Sequence, residues 1–105
     1  MKDDADTSER REVLRQGLGI SSGDFSRILP RVDPAADAMF IESGAVLRWS
    51  ETASVEVLIA AQDVRRLGGL EFPSMDLRFL FRGLSEEEAE TFLKRFARAF
   101  QKGGG

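Results

Sequence analysis

The side chains this protein has available for chemistry are carboxylates and arginines. Its 105 residues include 18 Asp and Glu and 15 Lys and Arg, with no cysteine, histidine or tyrosine. That composition removes thiol nucleophiles, thiolate zinc sites, imidazole general bases and imidazole metal ligands together. What remains is carboxylate-only catalysis or carboxylate binding of a hard cation, and the Asp-x-Asp-x-Asp-Gly spacing of a calcium loop is missing. The chain is therefore expected not to be an enzyme, and no cofactor or metal is assigned to it.

The densest acidic cluster, Glu86, Glu87, Glu88 and Glu90, is accounted for by its place in the first turn of a helix. Twelve arginines stand against three lysines. Arginine favours planar recognition of carboxylate or phosphate, although a GC-rich coding bias yields the same excess. The net charge of −3 argues against a nucleic-acid or anionic-membrane partner.

Three basic groupings stand out. Arg48, Arg78 and Arg82 fall on strand positions that point away from the expected core, as do Leu58 and Leu80, so the five would form a basic patch with an apolar centre. Pairing with Glu56 and Asp76 is the competing use of these arginines. Arg65-Arg66 precedes Gly68-Gly69, which reads as a hairpin tip because the spacing of a phosphate loop is missing. Lys94, Arg95, Arg98 and Lys102 complement the end of a helix dipole, and no aromatic is left beside them to stack on bases.

Positioning these residues is the work of one α+β domain. A chain of this length buries a core without disulfides or metals. Apolar residues make up 42% and charged residues 31%, a globular balance, and no apolar run approaches the ~20 residues of a membrane span. No signal peptide is expected at the acidic N-terminus, and the cytoplasm is the expected compartment. The expected division is a disordered tail over 1–6, a single domain over 7–102 and a flexible glycine tail over 103–105.

Along the chain, the pattern predicts a first helix from about Thr7 to Leu18, with Gly19 at its end. After Ser21-Ser22-Gly23 a short helix carries Phe25, Ile28 and Leu29 inward until Pro30 stops it. Two short helices joined this way invite a helix-turn-helix reading, but the second is too short and its one basic residue, Arg27, is offset by Asp24. Asp33-Pro34 to Ser43-Gly44 has the caps of a helix, and the alternative is a strand over Ala38 to Ile41 turning through Glu42-Ser43-Gly44.

From Ala45 the period changes to two. Ala45, Leu47 and Trp49, then Val55, Val57, Ile59 and Ala61, form the inward set; Gln62-Asp63 reads as a turn, and Pro73 as a strand entrance or edge position. Met75, Leu77, Phe79 and Phe81 alternate with Asp76, Arg78, Leu80 and Arg82. An antiparallel meander of about four strands follows from this pattern.

The final helix opens with a capping box, Ser85 with Glu88 three residues on, and carries Ala89, Phe92, Leu93, Phe96, Ala97 and Phe100 as one apolar stripe. It is expected to pack on one sheet face. Beyond it, Gly103-Gly104-Gly105 resembles, in those residues alone, the free Gly-Gly end of sulfur carriers and ubiquitin-like proteins. That resemblance implies a C-terminal glycine carrier, although the tail of those families leaves a β-grasp strand and this one follows a helix.

Three functions are thus in play: a non-enzymatic interaction module or small accessory subunit that binds another protein chain, itself or a different one; a binder of anionic ligands or nucleic acid; and a glycine carrier. The capping box gives a first test. Ser85→Ala should cost about 0.5–2 kcal/mol, read as a lower melting temperature, and an unchanged melt would place the helix start elsewhere.

Overall fold

The computed structural model describes residues 10–104, and the side chains of 11–101. The chain order is β1 (Arg10–Leu18), α1 (Ser22–Ile28), a 3-10 turn (Leu29–Arg31), β2 (Asp37–Ile41), β3 (Gly44–Arg48), β4 (Ser54–Leu67), β5 (Leu70–Arg82) and α2 (Glu86–Gly104). The five strands make one antiparallel sheet in the order β1-β5-β4-β3-β2. Strands β2 to β5 are a meander, and β1 joins its last member. The α+β class and the C-terminal helix agree with the sequence reading, while the sheet has one strand more.

The helix ends follow local chemistry. Ser21 Oγ accepts from the Asp24 amide at 3.1 Å and starts α1. At α2 the capping box closes in both directions: the Glu88 amide donates to Ser85 Oγ at 3.0 Å, and the Ser85 amide donates to Glu88 Oε1 at 2.8 Å. Before that cap, Gly83 has a φ of +69°, and a Cβ there would collide with the carbonyl oxygen of Thr52. Only glycine fits the turn from β5 into α2.

Both helices lie on the same side of the sheet. The inner rows, read from β1 to β2, are Arg11, Phe81, Val55, Leu47, Ala38 and then Val13, Phe79, Val57, Ala45, Phe40. From α2, Phe92, Phe96 and Phe100 are buried against this face; Phe79 meets Phe96 edge-on with ring centroids 5.0 Å apart, and Phe81 meets Phe92 at 5.9 Å. Phe25 and Ile28 of α1, with Leu29, fill the half nearer β2, where Phe25 and Phe40 are 6.4 Å apart.

Three sequence expectations are corrected. The helix expected from Thr7 to Leu18 is a strand over Arg10–Leu18, and Thr7 itself lies outside the described residues, as does the tail over 1–6. The reason is tertiary. Without β1, the backbone of β5 beside Leu77, Phe79 and Phe81 would keep unpaired polar groups. There is then no pair of helices to make a helix-turn-helix.

The helix from Asp33-Pro34 to Ser43-Gly44 is replaced by the β2–β3 hairpin, the alternative reading, with Glu42-Ser43 as its turn. Asp33 Oδ1 accepts from the Ala35 amide at 3.0 Å in a local turn and caps no helix. Gln62-Asp63 is not a turn: β4 continues through it, and the register shifts between Ile59 and Ala61, so Ala61 is exposed. Pro73 sits opposite Val64, beyond the last β1 partner of β5 at Met75, so its missing N–H lies at an edge.

The β4–β5 hairpin therefore runs past the domain as an arm. Every residue from Ala60 to Pro73 is exposed, the tip is Gly68-Gly69 with both φ values positive, and the molecule reaches 57 Å along its longest axis against 25 Å in the others.

Since α2 is held by its phenylalanines, Phe96→Ala should cost about 3–5 kcal/mol through lost burial and a residual cavity. A domain of this size loses about 4–8 °C of melting temperature per kcal/mol. A melt within a degree or two of the parent would refute the docked helix.

Candidate functional site

The outer face of the sheet is built from the same strands, one residue out of step. Read from β1 to β2, one outer row is Glu12, Leu80, Glu56, Val46, Met39, and the next is Leu14, Arg78, Leu58, Gly44, Ile41. A third contains Arg82, Ser54, Arg48 and Asp37. All five residues singled out in the sequence, Arg48, Leu58, Arg78, Leu80 and Arg82, are thus on one face. Leu58 and Leu80 are diagonal neighbours on β4 and β5.

No helix among the described residues covers this face. Leu14 is 49% exposed, Met39 59% and Ile41 40%, while Val46, Leu58 and Leu80 are half-buried by their neighbours. The sequence reading missed Leu14, Met39 and Ile41. The pattern favours a helix for 10–18 and leaves 37–41 between helix and strand, and a strand period applied to both segments is the signal that finds them.

The arginines behave differently from one another. Arg78 binds Glu12 across the β1–β5 pair, with its Nε at 2.9 Å and Nη2 at 2.8 Å from Oε2. Asp76, the other carboxylate offered by the sequence, accepts instead from the Gly17 amide at 2.8 Å. Arg48, Arg82 and Glu56 make no ion pair among the described residues. An exposed pair such as Arg78–Glu12 contributes little to stability, about 0–1 kcal/mol.

The remaining basic groups are dispersed. Arg66 pairs with Glu71 at 3.2 Å on the arm. On α2, Arg95 turns toward Asp33 at 3.6 Å, Lys94 lines a groove beside β1, Arg98 is exposed, and the side chain of Lys102 lies outside the described residues.

The acidic cluster is divided as well. Glu86 pairs with Arg11 at 3.6 Å, Glu88 caps the helix, and the Glu87 carbonyl accepts from the Thr91 hydroxyl at 3.0 Å. Among the described residues, no three acidic side chains converge as metal ligands. Gly103 and Gly104 continue α2, and Gly105 lies outside the described residues.

One carboxylate has a structural task that its sequence context did not reveal. Asp33 Oδ2 accepts from the Trp49 indole Nε1 at 3.0 Å, while Oδ1 takes the Ala35 amide and faces Arg95. Its side chain is only 16% exposed. It ties the loop before β2 to the end of β3 and to α2.

No family model, no curated protein and no solved structure matches the chain. No helix among the described residues is long and apolar enough to cross a membrane.

The role of Asp33 is testable. Asp33→Ala strips a charged acceptor from a half-buried indole and should cost about 1.5–3 kcal/mol, with a change in Trp49 emission. Asp33→Asn keeps an acceptor oxygen and should cost less. Urea midpoints of the two variants provide the comparison, and equal midpoints for both and the parent would refute the tie.

Proposed function

We propose that this chain is a non-enzymatic protein–protein interaction module, a homodimer or a small accessory subunit, and that the outer sheet face is its docking surface. The observation that carries the reading is the row of apolar side chains on a sheet face that no described element covers. Antiparallel sheets tolerate one solvated face, but that face then alternates to polar residues. Here Leu14, Met39, Ile41, Val46, Leu58 and Leu80 occupy outer positions instead. Burying them against a partner is favourable at about 25 cal/mol per Å2 of apolar surface.

The arm lengthens the same surface. Alternation along β5 from Leu80 carries Leu70 and Phe72 to the outer side, where they pair with Leu67 and Arg65. Leu67 is 64% exposed, Leu70 62% and Phe72 44%. Five strands about 4.8 Å apart make a face roughly 20 Å wide, and a standard interface takes about 800 Å2 from each partner. The arm supplies part of that area.

The rim of the patch suits specificity more than affinity. Arg48 and Arg82 lie at one end of the apolar rows, where a partner's carboxylates would meet them without displacing an existing ion pair. Such rim charges chiefly set orientation and on-rate.

The double variant Leu58→Ser and Leu80→Ser tests the reading. Weaker association in sedimentation, of the protein with itself or with a chain that co-purifies from its native host, is expected together with an unchanged cooperative melt. Unchanged association with unchanged stability would remove the proposed surface. A loss of several kcal/mol, as in core truncation, would show that the face is covered.

A further inference from the structure

Strand β1 carries its polarity the wrong way round for an edge strand of this sheet. Leu14 points outward, whereas Arg11, Val13 and Arg15 sit on the helix-covered side, in register with Phe81, Phe79 and Leu77. Large apolar residues at 11 and 15 would have closed the core on either side of Val13. With arginines at those two positions, an open groove of about 920 Å3 remains between β1 and α2.

The groove has two distinct parts. Its accessible apolar surface, the floor, is that of the half-buried Val13, Leu18 and Leu93, above Phe79, Phe96 and Phe100, which are buried beneath it. Its walls are cationic, with Arg15 on the strand side and Lys94 on the helix side. Neither makes an ion pair among the described residues. Arg11, at the end near the start of α2, is held by Glu86 at 3.6 Å, and Glu90 is the one carboxylate in the lining.

An inorganic anion would use the cations and leave the floor wet. A neutral apolar molecule would use the floor and leave two unpartnered cations beside a low-dielectric surface. A solute with both an apolar chain and an anionic head uses both parts. From Glu90 to Gln101, α2 borders the groove for roughly 16 Å, the length of a medium-chain acyl group. The volume falls within the roughly 300–1,000 Å3 of small-molecule sites.

We propose that this groove binds a single-chain amphiphile with a carboxylate head, a medium-chain fatty acid. The chain lies over the half-buried Val13, Leu18 and Leu93, and the carboxylate accepts from Arg15 and Lys94. This site is on the opposite side of the sheet from the proposed docking face and does not depend on it.

Calorimetric titration of the full chain with laurate, below its micelle concentration, is the test, with dodecanol as the neutral comparison. Saturable binding at one site is expected. Arg15→Gln with Lys94→Gln, two exposed positions, should weaken laurate by about ten-fold or more while leaving dodecanol nearly unchanged. Ala97→Trp, which adds bulk at an exposed lining position, should abolish both, with melts confirming that each variant is folded. No saturable laurate binding up to about 1 mM, or equal laurate affinity in the parent and the double glutamine variant, would overturn the proposal. So would equal loss of laurate and dodecanol in that variant.

Discussion

The structure depends on the aromatic contact between β5 and α2. Phe79 lies at its centre, with Phe96, Phe81 and Phe92 at ring-centroid distances of 5.0, 6.3 and 6.4 Å. Aromatic burial of this kind is the largest apolar contribution available to a small domain. It fixes which side of the sheet is inside. Because strand side chains alternate, that choice on β5 propagates by register to every other strand.

The outer face and the groove are two consequences of that single choice. Once Phe79 and Phe81 face α2, Arg78, Leu80 and Arg82 must face away, together with their partners on β4 and β1. Strand β1 follows the register even though its sequence suits it poorly: Val13 gains cover, Leu14 loses it, and two arginines enter the helix side. A core-optimised edge strand would place its leucine inward. The cost of the observed arrangement is an exposed leucine and an unfilled groove, and natural sequences depart from local consistency in this way chiefly where function requires it.

The two edges of the sheet are also unlike. Strand β1 carries several charges, a positive-φ Gly17 and a register irregularity between Arg15 and Leu18, all of which blunt an edge against pairing with another chain. Strand β2 is five residues long and carries one charge, Asp37. Its exposed Met39 and Ile41 belong to the outer face, which makes the β2 side of that face its most apolar end.

The sequence by itself determined those parts of the molecule whose signals are local and strongly periodic. The capping box at Ser85 and Glu88, the buried positions Phe92, Phe96 and Phe100, the alternation from Met75 to Arg82 and the serine cap of α1 all follow from spacing alone, because a helix or strand with one buried side imposes its own period. The same alternation put Arg48, Leu58, Arg78, Leu80 and Arg82 on the outside. Segments 10–18 and 37–41 were decided by tertiary structure. Each is too short and too mixed in pattern to prefer strand over helix alone, and each becomes a strand because a neighbouring strand offers unpaired backbone groups beside a filled core. Whether the outer leucines were covered was also beyond local signals. It depends on which side of the sheet the chain takes between β1 and β2, and among the described residues that segment buries Phe25, Ile28 and Leu29 on the Phe79 side.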